Sequence, residues 1–239
     1  MASNSFQIAP DESDRARLTL ADGTVYEGYS FGAKQPAAGE VVFNTGMVGY
    51  PEALSDPSYR GQILVLTYPL IGNYGVPSED VVDAHGLPRY FESAGVHISA
   101  LVVAHYSSFH SHWTSTRSLG EWLVAHGIPA IHGVDTRALT RRLRESGATL
   151  GTIAAMGAPA PPLHDPNTTN LVAQVSTKQT RVFGEGLTPR ILAFDCGIKY
   201  NIIRYLVEHQ KVQLTLVPFD YDLERNPENI QCVRGGGRV

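Results

Sequence analysis

Alternating apolar and polar positions predict a β-hairpin near the start of the chain. Leu18-Thr19-Leu20 and residues 25–31 alternate with a period of two on either side of Asp22-Gly23, a dipeptide that favours a tight hairpin turn. Further strand-like runs follow at 39–47, 62–70, 95–106, 128–134 and 148–156. Run 62–70 is apolar at consecutive positions, which is typical of a strand covered on both faces.

Two helices are predicted among these strands. Ser118 and Glu121 have the spacing of a capping box, which places a helix start at this point. Asp135 is a second N-cap candidate, ahead of an amphipathic stretch that Gly147 ends. Residues 16–156 therefore have the size and the mixed pattern of a complete α/β domain.

The pattern changes after residue 156. Residues 157–190 are rich in proline and lack apolar periodicity, which predicts a linker without a core element. A strand at 191–194, a helix at 199–209 and a strand at 212–219 then form one βαβ unit. Doubly wound sheets commonly use about five strands. Residues 191–239 are therefore predicted to be an incomplete domain that exposes apolar sheet surface.

Composition places the chain among soluble globular proteins. Hydrophobic residues make up 43% of its 239 positions and charged residues 18%. The net charge of −4 gives no general attraction to nucleic acid or to an anionic membrane. Residues 1–15 are acidic and lack an apolar core, so they are predicted to be disordered and unlike a secretory or mitochondrial targeting segment. The expected location is the cytoplasm.

Cys196 is the first candidate for chemistry, because it follows a strand and precedes a helix. A tight elbow that presents a nucleophile needs small residues in the pattern G-x-C-x-G, whereas the sequence here is FDCGI at 194–198. The nearest histidine in that segment, His209, lies at the opposite end of the same helix. We interpret Cys196 as a small buried residue at a strand end and predict no catalytic residue in this chain.

Other clusters also have ordinary structural interpretations. His105, His110 and His112 share a loop, but the chain has no second cluster of ligands, so solvent-facing histidines are favoured over a metal site. The arginines of 137–144 are interpreted as a solvated helix face rather than a contact with an acidic partner. The glycine run 235–237 lacks the flanking strand and helix of a phosphate-binding loop.

Ser58 is the most specific candidate for binding. Asp56-Pro57 initiates a turn, and Ser58 stands at its apex with a hydroxyl that can bond either a ligand or the turn backbone. The residues alone leave these two alternatives open.

Three stretches resemble a known family. GEVVFNTGMVGYPEALSDPSYRGQILVLTYPLIGNYG (39–75), GIPAIHGVDTRALTRRLRESGATLG (127–151) and ILAFDCGIKYNIIRYL (191–206) resemble the small (glutaminase) chain of glutamine-dependent carbamoyl-phosphate synthase. The resemblance extends from about Leu18 to Phe219.

The resemblance implies an α/β fold in two parts. Residues 16–156 would form a swivelling β/β/α domain that docks on the synthetase chain, and 191–239 would begin a flavodoxin-like class I amidotransferase domain. In the family, a G-I-C-x-G-H-Q elbow with a histidine and a glutamate hydrolyses glutamine. The ammonia passes to a synthetase portion that makes carbamoyl phosphate from bicarbonate with ATP and Mg²⁺. The serine of the D-P-S-Y turn contacts glutamine, which assigns that role to Ser58.

The chain departs from the family pattern after its βαβ unit. The family continues into an N-G-P-G-D-P loop and the cysteine elbow, whereas this sequence reads IQCVRGGGRV from Ile230. The catalytic cysteine, histidine and glutamate have no counterpart, so this truncated portion is predicted to be inactive alone. A non-catalytic docking module is the alternative. GMVGYPEALSDPSY and DCGIKYN most resemble the eukaryotic multifunctional polypeptide of pyrimidine synthesis, with the arginine-pathway small chain as the alternative.

Overall fold

Most of the strands belong to a closed β-barrel. The structure, a computed structural model, describes residues 11–225. The strands up to residue 155 are β1 (Arg15–Leu20), β2 (Val25–Ser30), β3 (Ala37–Asn44), β4 (Gln62–Leu66), β5 (Val76–Pro77), β6 (Ala100–Val103), β7 (Ser115–Arg117), β8 (Ala130–His132) and β9 (Thr149–Ala155). The barrel has the order β1-β2-β8-β6-β4-β3-β9, and β5 pairs with β7 beside it.

The two halves of the barrel differ in strand direction. β1 and β2 form the predicted antiparallel hairpin, in which Gly23 takes the left-handed conformation with φ of 85°. In the other half, β3 pairs with β4, β4 with β6 and β6 with β8, each in parallel. The carboxyl ends of these four strands therefore lie at one end of the barrel and their amino ends at the other.

Three helices accompany the barrel: α1 (Tyr50–Leu54), α2 (Leu119–Ala125) and α3 (Thr136–Ser146). The predicted capping box is confirmed, since the amide of Glu121 donates to the Ser118 hydroxyl and the amide of Ser118 donates to the Glu121 carboxylate. Asp135 caps α3 by accepting from the amide of Ala138 at 2.9 Å. Both helix starts are thus set by local sequence.

The central strands are buried on both faces, as the apolar run predicts. Ile63 and Val65 of β4 belong to a core cluster with Leu18, while Leu64 and Leu66 belong to a second cluster with Trp122. β6 alternates between the same two clusters. Burial of alternate residues on opposite sides of each strand explains why residues 63–66 and 100–103 include no polar side chain.

A smaller three-stranded sheet follows the barrel. The elements after residue 155, in chain order, include α4 (Leu171–Val175), β10 (Arg181–Phe183), β11 (Arg190–Asp195), α5 (Tyr200–Arg204), a π-helical turn at Tyr205–His209 and β12 (Gln213–Pro218). β11 and β12 pair in parallel, which confirms the predicted βαβ unit. The sheet order is β10-β12-β11. We call residues 181–218 the C-terminal unit.

Two predictions about connecting segments were wrong in part. β10 lies inside the predicted linker and pairs antiparallel with β12. Its one buried residue, Phe183, is too little to produce a periodic pattern in the sequence. Within the predicted disordered N-terminus, residues 12–14 form a 3₁₀ turn, because Asp11 caps it and Lys34 pairs with Asp14 at 2.9 Å.

The elements confirm a mixed α/β fold. The finer assignments to swivelling β/β/α and flavodoxin-like architectures stay predictions, as do the domain boundaries. The departure from the family pattern at Ile230 and the glycine run 235–237 lie outside the described residues. Between residues 11 and 225, no helix is long and apolar enough to cross a membrane.

Leu87 connects the two parts of the protein. It belongs to the loop between β5 and β6, yet it is fully buried in the core cluster of the C-terminal unit, with Phe183, Ile203 and Leu214. The expected exposure of sheet surface is therefore reduced by a side chain from outside the unit. Exposure remains at Val182 (50%) and at Phe194 (43%).

We expect Leu87→Ala to destabilise the C-terminal unit while the barrel remains folded. Truncation of a fully buried leucine leaves a cavity and lowers the free energy of unfolding by about 2–5 kcal/mol. Here the cavity would lie in the core of the C-terminal unit. Amide hydrogen exchange should accelerate in β11 and β12 and stay unchanged in β4 and β6. Leu163→Ala, at a leucine that is 48% exposed, is the matched control. Unchanged exchange in β11 and β12 would contradict the role given to Leu87.

Candidate functional site

The turn that carries Ser58 has the geometry that its sequence predicts. Pro57–Tyr59 form a 3₁₀ turn between α1 and β4, and the Asp56 carboxylate accepts from the amide of Ser58 at 2.9 Å. Ser58 is exposed, and its hydroxyl makes no hydrogen bond with any residue between 11 and 225. The sequence left open whether the Ser58 hydroxyl bonds a ligand or the turn backbone. In the structure it does not bond the turn backbone.

The same carboxylate binds the C-terminal unit. The second oxygen of Asp56 lies 2.7 Å from the ammonium of Lys199, the residue that precedes α5. This hydrogen bond raises the pKa of Lys199, against the smaller opposing effect of burial. Asp56 is 7% exposed, so the ion pair is largely shielded from water at the carboxylate. The turn and the C-terminal unit are thus held by one side chain.

The start of α5 is capped from outside its own unit. Lys199 occupies the N-cap position without a side-chain cap. Instead, the amide of Tyr200 donates to the Glu92 carbonyl at 2.9 Å and the amide of Asn201 donates to the Glu92 carboxylate at 3.0 Å. Glu92 is itself held by its amide, which donates to the Ser55 hydroxyl at 3.0 Å. Free amides at a helix start need such partners, so α5 depends on the loop before β6.

An ion pair completes this contact. Arg204 of α5 lies 2.7 Å from the Asp83 carboxylate, with side-chain exposures of 16% and 11%. Arg204 also donates to the carbonyl of Pro88. Burial by itself raises the pKa of Asp83, but hydrogen bonds from Arg204 and from the amides of Leu87 and His85 outweigh burial and lower the pKa below its ordinary value.

At the end of β11, beside the Ser58 turn, the backbone is held by the side chain of Asp195 rather than by that of Cys196. Asp195 is 6% exposed, and its carboxylate accepts from the amides of Gly197, Ile198 and Thr177. Cys196 is an exposed free cysteine, so its predicted burial was wrong. Its thiol has no hydrogen bond to a histidine among residues 11–225, and the interpretation of Cys196 as a non-catalytic residue stays a prediction.

Gly197 lets the strand end approach the Ser58 turn closely. It adopts φ of 98°, and a Cβ at this position would lie 3.1 Å from Pro57 and 3.0 Å from Val175. A side chain here would therefore combine backbone strain with crowding against the turn.

A cavity of about 190 Å³ lies between the barrel and the C-terminal unit. Its lining includes Pro57, Ser93, His97, Arg181 and Asp195. The His97 Nε2 atom lies 2.9 Å from the Ser93 hydroxyl. Burial, followed by the charge of Arg60, lowers the pKa of His97, which favours the neutral imidazole. Sequence reasoning missed His97 and Arg181, because neither belongs to a local motif and only the folded chain brings them together.

Two of the three loop histidines bond nearby hydroxyl groups. His110 Nδ1 lies 2.7 Å from the Ser115 hydroxyl, and His112 Nδ1 lies 2.7 Å from the Thr114 hydroxyl. His105 is exposed. In the described part of the chain, no group of three or more histidine, cysteine or carboxylate side chains is arranged to hold a metal ion.

The arginines of α3 have different surroundings. Arg142 pairs with Asp22 of the hairpin, and the Arg144 guanidinium lies 5.5 Å from the ring centre of Phe43. Arg137 is exposed. The helix face is therefore partly bound to the barrel rather than fully solvated.

The Ser58 turn of the barrel is held against a βαβ unit by the ion pair between Asp56 and Lys199. Comparison with known proteins identifies the family. Residues 18–153 match the family described as "Carbamoyl-phosphate synthase small chain, CPSase domain". The chain belongs to this family.

Relatives of several kinds are similar to this chain. The arginine-specific small chain of carbamoyl phosphate synthase from Eremothecium gossypii is 51% identical over 221 residues, which are 90% of this chain and 55% of the relative. Multifunctional protein CAD from Squalus acanthias is 51% identical over 213 residues, 88% of this chain and 9% of the relative. Human carbamoyl-phosphate synthase [ammonia], mitochondrial, is 46% identical over 225 residues, 94% of this chain and 15% of the relative.

The chain therefore spans about half of the first of these relatives and a small part of the other two. Among solved structures, an aminopeptidase from Aneurinibacillus sp. strain AM-1 matches with a TM-score of 0.34 and 15% identity, over 64% of this chain and 32% of the aminopeptidase. A likeness at that level carries no argument.

Acid should weaken the contact between the barrel and α5. Because the pKa of Asp83 is lowered in the folded protein, its contribution to stability is present above the ordinary value of 3.8 and is lost as the pH falls through the lower folded value. We therefore expect wild type to be more stable than Asp83→Asn at about pH 6 and to have lost part of that advantage at about pH 3. Urea denaturation followed at both pH values checks this. A difference that does not change with pH would contradict it.

Proposed function

We propose that this chain is the glutaminase-chain portion of a glutamine-hydrolysing carbamoyl-phosphate synthase and that its Ser58 turn contacts glutamine. The observation that carries the proposal is the exposed Ser58 hydroxyl, which lies on a turn fixed by Asp56 and has no partner among residues 11–225. In the complete reaction, glutamine supplies ammonia, and the synthetase portion converts bicarbonate and ammonia to carbamoyl phosphate with ATP and Mg²⁺.

The turn is suited to hold a polar substrate. A serine hydroxyl provides one donor and two acceptor positions, which can serve the amino or carboxylate group of an amino acid. The Asp56 carboxylate fixes the backbone of the turn, and Lys199 fixes that carboxylate. Little conformational freedom is then lost when the ligand binds, which favours affinity.

The hydrolytic step is assigned to residues other than those between 11 and 225. Hydrolysis of an amide needs an activated nucleophile with a base in hydrogen-bond reach. Cys196 lacks a histidine partner in this part of the chain, and Asp195 beside it is occupied by backbone amides. We therefore propose that residues 11–225 bind and orient glutamine without performing the chemistry, and that this chain uses no cofactor of its own.

For the pathway, we propose pyrimidine synthesis, on the resemblance of GMVGYPEALSDPSY and DCGIKYN to the multifunctional polypeptide. The arginine-specific small chain and the multifunctional protein CAD are equally identical to this chain, at 51%, so overall similarity does not separate the two pathways. The cytoplasmic location stays a prediction, and one of the relatives is named as mitochondrial.

Disruption of the gene for this chain separates the pathways. The proposal expects growth to require uracil, because carbamoyl phosphate for pyrimidines would be lacking. A requirement for arginine that uracil does not relieve would contradict the pyrimidine assignment and favour the arginine-pathway small chain.

Ser58→Ala tests the glutamine contact in the complete glutamine-dependent enzyme. Loss of one hydrogen bond of about 0.5–1.5 kcal/mol should raise KM for glutamine by about 2- to 12-fold. The rate with ammonia should not change, because ammonia bypasses the turn. Ser13→Ala, at another exposed serine, is the matched control. Cys196→Ser should also leave the glutamine-dependent rate unchanged.

The outcomes separate the proposals. An unchanged KM in Ser58→Ala would remove the glutamine contact, and loss of activity in Cys196→Ser would show that Cys196 performs the chemistry. If the complete enzyme containing this chain uses ammonia but never glutamine, the chain is a docking module and the glutaminase assignment fails.

A further inference from the structure

Polar side chains from both parts of the protein line the cavity of about 190 Å³ between the barrel and the C-terminal unit. Ser93 and His97 belong to the connection between β5 and β6 of the barrel, whereas Arg181 and Tyr200 belong to the C-terminal unit. The glutamine contact proposed above uses none of these four side chains. The cavity is therefore a candidate for a second binding site.

Arg181 is a half-buried cation that forms no ion pair with a carboxylate among residues 11–225. Its guanidinium lies 4.8 Å from the ring centre of Phe183. Its charge also acts on Tyr200, where it opposes in part the rise in pKa that burial causes. A guanidinium presents five N–H donors in a planar fork, which matches the oxygens of phosphate, sulfate and carboxylate groups. Arg181 therefore retains the capacity to bind an oxyanion.

His97 has one ring nitrogen to which no group among residues 11–225 bonds. The Ser93 hydroxyl donates its single hydrogen to a carbonyl, that of Ser55 at 2.7 Å or that of Gly95 at 2.9 Å. It must then accept in its contact with His97, so the hydrogen of that bond belongs to Nε2. The other nitrogen, Nδ1, is buried and has no partner in the described part of the chain. Buried polar atoms normally bond a group, so Nδ1 indicates a ligand that does not come from residues 11–225.

The charges around His97 favour its neutral form in the protein alone. Burial lowers the pKa of His97 most, the charge of Arg60 lowers it further, and Asp56 acts in the opposite direction. Asp56 is already bound to the ammonium of Lys199. An anion beside Nδ1 would reverse this balance, because it favours the imidazolium, which donates from both ring nitrogens.

The carboxylates near the cavity are engaged with backbone amides. Asp195, which lines the cavity, accepts from three of them. Glu92, next to Ser93, accepts from the amide of Asn201 at 3.0 Å. Neither carboxylate forms an ion pair with Arg181, so the guanidinium is not neutralised from within the described residues.

We propose that this cavity binds one small oxyanion, through the guanidinium of Arg181 and through Nδ1 of His97, which takes up a proton from solvent when the anion binds. This inference does not depend on the proposed function. The cavity has the volume of about six water molecules, which is enough for a phosphate, sulfate or carboxylate group with part of its hydration. Its ligands come from both parts of the protein, so the bound anion links the barrel to the C-terminal unit. Pro57 also lines the cavity and connects it to the Ser58 turn.

Isothermal titration calorimetry of the full chain with sodium sulfate tests this site. Sulfate keeps its charge across the range in which histidine titrates, about pH 5 to 8, so a pH dependence of its binding belongs to the protein. We expect one sulfate to bind, more tightly at about pH 6 than at about pH 8 by about 5-fold or more, since uptake of one proton changes the affinity by up to about tenfold per pH unit. Inorganic phosphate and acetate, titrated at the same ionic strength, distinguish a tetrahedral anion from a carboxylate as the preferred ligand.

Arg181→Gln and His97→Gln separate the two contacts. Arg181→Gln should weaken sulfate binding by about 10-fold or more, as for loss of a hydrogen bond to a charged group. His97→Gln keeps a nitrogen that can bond Ser93 but removes the group that titrates, so binding should lose its pH dependence. Arg190→Gln and His164→Gln, at exposed residues outside the cavity, are the matched controls and should bind sulfate as wild type does.

Three results would overturn the inference. If sulfate, phosphate and acetate show no saturable binding, the cavity holds water alone. If wild type and Arg181→Gln bind sulfate equally, the anion binds elsewhere. If glutamine displaces sulfate in the complete enzyme, the cavity is part of the substrate pocket and not a separate site. Equal thermal unfolding of variants and controls without sulfate excludes misfolding as the cause of a loss. If Arg181→Gln does not fold, Arg181→Lys replaces it and should still weaken binding, because the planar fork is lost.

Discussion

The carboxylate of Asp56 is shared between a turn of the barrel and the first residue of another unit. One oxygen accepts from the amide of Ser58, and the other binds the ammonium of Lys199. A largely buried carboxylate must have partners for both oxygens, since an unpaired charge away from water is costly. The position of Ser58 therefore depends on the C-terminal unit being in place, although Ser58 itself belongs to the barrel.

The dependence also runs in the other direction. Leu87 fills the core of the C-terminal unit, Glu92 caps α5, and Asp83 pairs with Arg204. All three residues lie in the long connection between β5 and β6. This connection contains little regular structure, and it supplies side chains to the C-terminal unit as well as to the barrel core, where Phe91 and Ile98 are buried. The joint between the two parts is built from packing, backbone capping and charge together.

The parts of the fold that could be predicted from the sequence are those determined by residues close together in the chain. The Asp22-Gly23 hairpin, the capping box at Ser118 and the double burial of β4 each depend on residues close together in the chain. β10 was missed because a three-residue strand with one buried side chain leaves no period to detect. For the candidate site, the turn at Ser58 was predictable, whereas its bond to Lys199 joins residues 143 positions apart (199 − 56) and has no local signal.

The cap that Glu92 provides has a consequence for the order of folding during synthesis. A ribosome releases the chain from its amino terminus, so the loop with Leu87 and Glu92 emerges more than 100 residues before α5 (200 − 92 = 108). When Tyr200 and Asn201 appear, acceptors for their amides are already positioned on a folded barrel, and domains generally fold in this sequence. The barrel then acts as a template on which the short helix and its small sheet assemble. A circularly permuted gene that produced α5 first would deprive the helix of this template at the moment of its formation.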